Sequence, residues 1–409
     1  MIRAITIGVP DHRLPPDTIA KALLEFSALA RRKLEARGWP LRTLRLSLST
    51  LKQADEDEAF SIPARLSSLG ELVERAGIRW FCLPVDLTKG EHYQRRLDAA
   101  FATLFKQPKM FVNLMVADEQ GINIRASHDI ARFILDVAHR SNNGFDNFRV
   151  GASCCCPANA PFFPCSRHEG DDFKFSFALE TTDIALQLST LVAEKKITLT
   201  TFADRLIKKL SARLSDIHQF GQALASASGM EYAGLDASLA PFPDGNISVG
   251  RLLTNLGVMT GSSHGVIFIT SILTNAIKKA VAASGVTATG FNGVMFSVLE
   301  DNALASANNC RMLSIETLNS WSTVCGCGLD MIPIPGSTLA EDISAIILDT
   351  AALAVRLNKP LGIRLLPIPG KEVNEFTEFN FDFLCNSRVM QIAKSDVILP
   401  KENERWVYR

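Results

Sequence analysis

The sequence predicts an α/β protein whose strands close, or nearly close, into a barrel. Short apolar runs alternate with segments of helical periodicity along the chain. About ten of these runs are typical of strands, and that many strands with interleaved helices suit a barrel better than an open sheet. The run at residues 110–116 is almost entirely apolar, as expected of a strand covered on both faces.

The predicted strands of the first half are residues 2–9, 41–48, 80–83, 110–116 and 148–153. The second of these strands is predicted to be half-buried, because Leu44, Leu46 and Leu48 alternate with polar residues. The helices predicted between the strands are residues 15–38, 61–76, 93–105 and 124–139. Gly38 is expected to end the first helix.

The same alternation continues through the second half of the chain. Strands are predicted at residues 233–239, 293–298, 330–334 and 361–368, and helices at residues 184–193, 199–225, 266–283 and 339–357. No low-complexity linker divides the chain, so residues 1–409 are predicted to form a single barrel domain. Residues 376–409 are predicted to pack on it as a C-terminal cover segment.

Composition excludes several classes of function. The 43 Lys and Arg residues balance the 43 Asp and Glu residues, which leaves no electrostatic basis for binding nucleic acid. No apolar run approaches the roughly 18–20 residues that span a bilayer, and the chain starts as a strand rather than a signal peptide. We therefore expect a cytoplasmic protein without membrane contact, in which the nine cysteines are thiols. A homodimer is the expected assembly.

Two strand ends are similar to each other in sequence. Residues 234–243 and 328–336 both begin with Gly-Leu-Asp and continue with an apolar run and paired prolines. A third strand end, residues 364–371, shares Pro-Ile-Pro-Gly with the second. We interpret these repeats as strands that end on one rim around a shared site. Chance similarity of strand-end chemistry is the alternative.

Four acidic residues are candidates for chemistry at this rim. Asp236 and Asp330 adjoin apolar runs, and a buried carboxylate needs a partner. In one hypothesis, these two aspartates and Glu300 act as acid/base groups. In the other, the same three residues and Asp301 bind a divalent cation such as Mg²⁺ or Ca²⁺. The structural alternatives are backbone capping, pairing with arginine and, for Glu300 and Asp301, a favourable position at a helix start.

Arg364 is the favoured anion-binding residue, because a guanidinium in an apolar strand must be paired or face a polar cavity. A structural salt bridge to one of the aspartates is the alternative. Ser238 and Lys371, which lie at two of the three similar strand ends, are further candidates for substrate binding.

A second anion site is predicted where Ser262, Ser263 and His264 precede a helix, since free backbone N–H groups at a helix start bind anions. His264 is also a candidate acid or base, and simple helix capping is the alternative. The sequence contains neither a Walker phosphate loop nor a G-x-G-x-x-G motif after the first strand, so no nucleotide cofactor is expected.

Among the cysteines, Cys325 is the candidate for a functional thiol, with packing as a small apolar residue as the alternative. The spacing of Cys325 and Cys327 is not accompanied by a second pair typical of zinc sites. The aromatic loop at residues 161–168 is predicted to cover the barrel mouth and to present His168 to the substrate, with packing as the alternative.

Residues 324–336 resemble a signature of the PFL family, a group of unknown function. Residues 238–241, 297–301 and 364–371 resemble the same group, and residues 161–168 and 177–180 are similar to its longer members. The resemblance covers most of residues 150–375. It implies a ten-stranded α/β barrel, with helices outside, like that of pyruvate formate-lyase and other glycyl radical enzymes.

The resemblance does not imply radical chemistry. Residues 388–391 read Arg-Val-Met-Gln and lack the glycine of a radical loop. Five cysteines occupy positions where the family is expected to have mostly small apolar residues: Cys154, Cys155, Cys156, Cys165 and Cys327.

We therefore expect a non-radical enzyme of the lyase or hydrolase class that acts on a small anionic metabolite in a central barrel cavity. A non-enzymatic metabolite sensor that uses the same cavity is the alternative. A thiol-dependent enzyme that uses Cys325 is a third hypothesis.

Overall fold

The computed structural model of the chain describes residues 1–10, 16–52, 61–89, 92–258, 264–394 and 405–407. It confirms the predicted α/β class. In these ranges eleven strands form one mixed sheet: β1 (Ile2–Gly8), β2 (Leu41–Ser47), β3 (Trp80–Asp86), β4 (Met110–Asp118), β5 (Gly121–Asn123), β6 (Val150–Cys154), β7 (Lys174–Leu179), β8 (Glu231–Asp236), β9 (Gly328–Pro335), β10 (Leu361–Ile368) and β11 (Arg405–Val407).

Helices connect most of these strands and cover the sheet. In the described ranges the α-helices are α1 (Pro16–Glu35), α2 (Ile62–Arg75), α3 (Gln94–Leu104), α4 (Ile124–Arg140), α5 (Thr182–Ala193), α6 (Leu199–Ser228), α7 (Val249–Asn255), α8 (Val266–Ser284), α9 (Asn302–Asn309), α10 (Ile315–Trp321) and α11 (Ala340–Leu357). The long helices agree with the predicted ones. A helix start was expected at Glu300 and Asp301, where α9 follows, but no bounds were predicted for the short helices α7, α9 and α10.

The strand order along the sheet is β8-β7-β1-β2-β3-β4-β6-β10-β9, and β5 pairs with both β4 and β11 off this path. Most neighbours are parallel, but β7 is antiparallel to β1, and β6 is antiparallel to β10. The ladders thus run from β8 to β9 as an open path. The predicted closed barrel is not established by these ladders.

The segment at residues 288–297 lies between the two ends of this path. Isolated bridges join Leu235 of β8 to Ala288, and Leu239 to Val294. A third bridge joins Ser297 to Asp330 of β9.

The prediction of a regular strand at residues 293–298 was wrong. The backbone N–H groups of Asn292, Gly293 and Phe296 donate to side chains, namely those of Asp236, Ser238 and Cys327. These bonds take the place of ladder hydrogen bonds, so only single bridges form.

The inner strands are buried on both faces. All seven residues of β1 are buried. Ile5 and Ile7 belong to the large core beneath the helices, whereas Ala4 belongs to a small separate cluster with Phe162 and Met295. The second face of the sheet therefore lines an interior space.

Helix α8 is long and apolar enough to cross a membrane by length and composition alone. Seven of its residues are buried, and Ser211 and Ser215 of α6 donate hydrogen bonds to carbonyls at its C-terminal end. A core helix of a soluble protein passes the same test, so the cytoplasmic location stays a prediction.

Candidate functional site

A small cavity lies on the inner face of the sheet. Its volume is about 60 Å³, and one water molecule requires roughly 10–15 Å³ of such space, so the cavity has room for about four to six waters. Aromatic and charged side chains together form its wall: Arg3, Arg45, Trp80, Phe111, Phe148, Phe162, Phe163, Pro164, Cys165, Ala240, Pro241, Phe291, Met295, Ser297, Glu300, Cys327, Asp330, Gly362, Ile363, Arg364 and Phe383.

Arg364 and Asp330 form a bidentate ion pair in this wall. Arg364 donates from Nε to Asp330 Oδ1 at 2.6 Å and from Nη2 to Oδ2 at 2.9 Å. Its Nη2 also donates to Glu300 Oε1 at 3.0 Å. These two carboxylates raise the pKa of Arg364 further, although burial opposes them. The structural alternative considered for Arg364, a salt bridge, is the arrangement observed.

A β-bulge in β9 aims Asp330 at this arginine. In the pairing of β9 with β10, Ile363 is opposite Leu329 and Leu365 is opposite Ile332. Two residues of β9, Asp330 and Met331, therefore face one residue of β10, and Met331 has a φ of +54°. Bulges of this kind redirect side chains next to sites.

Arg3 lies at a similar bulge in β1, in the pairing of this strand with β7. Ile2 pairs with Leu179 and Ala4 with Ala178, so Arg3 is the extra residue in the pairing with β7. Its Nη1 donates to the Pro241 carbonyl at 2.6 Å, and its Nη2 donates to Glu300 Oε2 at 3.2 Å. Glu300 is therefore held between two arginines.

Arg45 is a buried cation without a carboxylate partner. Its Nε donates to Thr43 Oγ1 at 3.0 Å, and no carboxylate of the described ranges is within ion-pair distance. Its guanidinium lies 5.2 Å from the ring centre of Phe163 and 5.4 Å from that of Trp80. Burial, with the like charge of Arg3, lowers the pKa of Arg45 to about 9.

The Ser297 hydroxyl is a further polar group of the cavity wall that lacks a hydrogen-bond partner among the described residues. The residue is 1% exposed, and its Oγ has no hydrogen-bond partner among the described residues. Such orphaned groups are rare because burying an unpaired hydroxyl costs free energy. Ser297 lies in the segment that bridges to β9, directly at the cavity wall.

Two thiols also reach the cavity, Cys165 and Cys327. A hydrogen bond with Cys156, together with burial, raises the pKa of Cys165. A hydrogen bond with Cys325, together with burial, raises the pKa of Cys327. Both cavity thiols are therefore in the protonated form at neutral pH.

The charged groups of the wall do not cancel. Arg3, Arg45 and Arg364 face the two carboxylates Glu300 and Asp330, which leaves one positive charge. Glu180 also contacts Arg3, but Arg42 pairs with Glu180 at 2.5 Å and offsets it. The charged side chains that line the cavity thus sum to one positive charge.

Asp236 and Ser238 lie outside this wall. The Asp236 carboxylate accepts hydrogen bonds from the N–H groups of Phe291 and Asn292 and from both the N–H and the hydroxyl of Ser238. Burial nevertheless raises the pKa of Asp236 to about 6. These bonds fix the turn at residues 290–292 to the end of β8. The proposed site therefore does not include Asp236 and Ser238.

Asp301 is a helix cap rather than a cavity residue. It accepts hydrogen bonds from the N–H groups of Ala303 and Leu304 at the start of α9 and of Val249 and Gly250 at the start of α7. Its oxygens are occupied by N–H and O–H donors, which leaves no arrangement suited to a cation. No cluster of three or more His, Cys, Asp or Glu side chains in the described ranges is arranged to hold a metal ion.

The two predicted histidines are apart from the cavity. Both ring nitrogens of His168 are within hydrogen-bond distance of acceptors, the Asn159 side chain and the Gly170 carbonyl. The ring lies against Gly8, where an added Cβ would be 2.2 Å from Nδ1, so His168 fixes a loop to β1. His264 is exposed before α8.

Three further candidates also lie elsewhere or are not described. Ser262 and Ser263 fall outside the described residues. Lys371 pairs with Glu378 at 2.7 Å and does not line the cavity.

Cys325 is buried behind the cavity wall. A hydrogen bond from the Cys327 thiol lowers the pKa of Cys325, nearby Lys359 assists, and burial opposes the shift. Lys359 donates to the Cys325 and Ser322 carbonyls at 2.6 and 2.8 Å. Cys325 itself does not line the cavity, so the structure separates it from Arg364, Glu300 and Asp330.

The sequence thus predicted that Arg364, Asp330 and Glu300 belong to one site. It did not identify three further residues of the cavity wall: Arg3, Arg45 and Ser297. Arg45 alternates with the buried Leu44 and Leu46, and this alternation predicted a half-buried strand at residues 41–48. In a strand between two others in a covered sheet, the polar face instead turns toward the interior. Two arginines in strands that belong to such a sheet are the signal that identifies the cavity.

Comparison with known proteins gives the family. The model of the family "Uncharacterised ACR (DUF711)" matches residues 1–382, nearly the whole chain. The chain belongs to the DUF711 family. The assignment to the PFL family from residues 324–336 was therefore wrong, because the match to DUF711 spans the chain, whereas the resemblance depended on a few strand-end motifs.

Relatives of this DUF711 protein carry the name UPF0210. UPF0210 protein MK1214 of Methanopyrus kandleri is 29% identical over 287 residues, which is 70% of this chain and 63% of the relative. A UPF0210 protein of Acetivibrio thermocellus is 30% identical over 304 residues, 73% of this chain and 67% of the relative. One of Actinobacillus pleuropneumoniae is 28% identical over 63% of this chain and 57% of the relative. The chain thus spans about three fifths of the length of the first of these relatives.

Proposed function

We propose that this DUF711 protein is a non-radical enzyme that acts on a small anionic metabolite in the cavity beside Arg45. We further propose that residues 288–297 complete the sheet as a barrel around that cavity. The bridges from Leu235, Leu239 and Ser297 support the second proposal, because they connect residues 288–297 to both β8 and β9. The homodimer stays a prediction from the sequence.

The single observation that carries the proposal is the unpaired guanidinium of Arg45. Burying a charge without a partner costs free energy, and a protein retains such a group when a ligand supplies the partner. The terminal nitrogens of Arg45 have no hydrogen-bond partner among the described residues, and the planar guanidinium matches a carboxylate in a bidentate geometry. Arg45 thus takes the role that was predicted for Arg364.

The remaining charged groups support chemical conversion of the bound metabolite as well as its binding. Arg3, Glu300, Arg364 and Asp330 are linked by short ion pairs between largely buried side chains, where fixed charges act more strongly on a reacting group than in water. Glu300 is the carboxylate we propose for proton transfer, because it lines the cavity and would be released from its arginines by a ligand that pairs with them. Lyase or hydrolase chemistry is the proposed class.

Ligand binding to an arginine variant tests the proposal. Arg45→Met removes the charge and keeps much of the volume, so small carboxylates should lose affinity by roughly tenfold or more. Calorimetric titration of acetate, propionate and lactate checks this. Arg79→Met is the matched control, because Arg79 is exposed and stacks on Trp80 at 4.7 Å without lining the cavity. Equal affinity in the wild type and Arg45→Met would contradict the proposal.

A metabolite sensor is the second candidate, and one observation favours it. Both carboxylates of the cavity wall are already bonded to arginines, so neither is free to act as a base without rearrangement. Ligands that stabilise the protein through Arg45 should therefore be incubated with it and followed by NMR. Binding without any conversion favours the sensor, and turnover that is lost in Glu300→Gln favours the enzyme.

A further inference from the structure

Arg45 and Ser297 line the same small cavity from opposite parts of the sheet, and each has polar atoms without a hydrogen-bond partner among the described residues, as does the Nε of Arg3. Arg45 lies on β2, and Ser297 lies in the segment that bridges β8 to β9. Along the order β8-β7-β1-β2, three strands separate that segment from β2. Both residues line the cavity of about 60 Å³, so a molecule bound in it is bordered by both.

The two groups differ in what they bind. Arg45 favours an anion, because it is a buried cation and no carboxylate in the described part of the chain is within ion-pair distance of it. Ser297 is neutral, and its hydroxyl donates one hydrogen bond and accepts others. No charged group other than those already paired lies beside Ser297 in the wall, so a second negative charge at that end would be next to Glu300 and Asp330.

The rest of the wall limits the ligand further. Phe162, Phe163, Phe291, Met295 and Trp80 are apolar faces without hydrogen-bonding capacity, apart from the Trp80 ring N–H. The middle of the ligand is therefore apolar. The part of the ligand inside the cavity is expected to have about four to six non-hydrogen atoms, at roughly one atom for the space of each water.

We propose that Arg45 and Ser297 bind the two ends of one substrate, a short monocarboxylate with a neutral hydroxyl or carbonyl group at the end remote from its carboxylate. This inference rests on the proposed function, and it adds the substrate class and a specificity residue. Ser297 acts directly on the ligand, and the cavity discriminates against dicarboxylates because a second carboxylate meets Glu300 and Asp330.

The experiment uses calorimetric titration of the full chain with 3-hydroxypropionate, propionate and malonate. The wild type should bind 3-hydroxypropionate about five- to tenfold more tightly than propionate, which lacks the hydroxyl, and should bind malonate least. Ser297→Ala should abolish the difference between the first two ligands and leave propionate binding unchanged. Arg45→Met should weaken both, and Arg45→Lys should recover part of the affinity.

Thermal unfolding without ligand shows whether the Ser297 variants are folded. The Ser297 hydroxyl has no partner among the residues that the structure describes, so Ser297→Ala should melt at the same or a higher temperature than the wild type. Ser297→Thr, which keeps the hydroxyl, is a second variant and should retain a preference for 3-hydroxypropionate if the added methyl group is accommodated.

The possible failures are distinguishable. If Ser297→Ala keeps the preference for 3-hydroxypropionate while Arg45→Met loses binding, the inference on Ser297 is overturned and the anion site stands. If Arg45→Met binds all three ligands as the wild type does, the proposed function itself fails. Absence of binding by any of the three at millimolar concentration overturns the inference on the substrate class.

Discussion

The ends of β8 and β9 share the sequence Gly-Leu-Asp, but their aspartates do different things. Gly234 and Gly328 both have positive φ, +114° and +85°, and each lies against a neighbouring carbonyl, where an added Cβ would be 2.3 Å from the oxygen. The backbone is thus similar at the two sites. Asp236 binds backbone N–H groups, whereas Asp330 binds Arg364 in the cavity wall.

The neighbouring segment explains the difference. Beside Asp236 lies the turn at residues 290–292, which offers N–H groups and no cation. Beside Asp330 lies β10, which offers Arg364, and the bulge at Met331 turns the carboxylate toward it. A repeated local sequence therefore reproduces a backbone shape, while the partner strand decides whether the acid is structural or belongs to the candidate site.

The largest expected effect comes from breaking the pair in β9. Asp330→Ala leaves the buried Arg364 with Glu300 as its one remaining carboxylate, and breaking a buried ion pair costs about 3–5 kcal/mol. Urea unfolding should show a loss of this size. The double variant Asp330→Leu with Arg364→Met is the control and should recover most of it. A loss below about 1 kcal/mol for Asp330→Ala would mean that the pair contributes little.

A smaller effect is expected at the end of β8. Asp236→Asn removes one acceptor oxygen from buried N–H donors, which costs about 1–3 kcal/mol in the free energy of unfolding at pH 7. Affinity for small carboxylates should not change, because Asp236 does not line the cavity. Weaker ligand binding in a folded Asp236→Asn protein would show that the two aspartates are more alike in function than their contacts indicate.

The smallest effect is a pH dependence specific to β8. Burial raises the folded pKa of Asp236 to about 6, above the value of about 3.9 in an unfolded chain, so the folded protein binds more protons between these values. The protonation-linked part of this group's contribution to stability is therefore fully present below about pH 4 and is lost as pH rises to about 6, and the hydrogen bonds of the ionised carboxylate account for the part that remains at pH 7. The advantage of the wild type over Asp236→Asn should shrink across this range in urea titrations. If the stability advantage of the wild type over Asp236→Asn instead grows with pH, the pKa of Asp236 is not raised on folding.

Periodicity in the sequence predicted the α/β class and the long helices, because those elements follow from local patterns of burial. It did not predict the bulges at Arg3 and Met331, since these depend on how neighbouring strands pair. It identified Arg364, Asp330 and Glu300 as candidates but assigned Arg364 to the ligand. Arg45 is distinguished by having no carboxylate of the described residues within ion-pair distance, and that information is not contained in any local stretch of sequence.

The arginine–carboxylate contacts of the cavity wall also have a consequence for folding. Arg3 contacts Glu300 across a sequence separation of 297 residues, and Arg364 contacts the carbonyl of Phe148 across 216. Such non-local contacts form only after distant parts of the chain have met, and proteins dominated by them fold slowly. The cavity is therefore expected to assemble late and to open early on unfolding. Partly folded chains should contain most of the helices while lacking any capacity to bind the ligand.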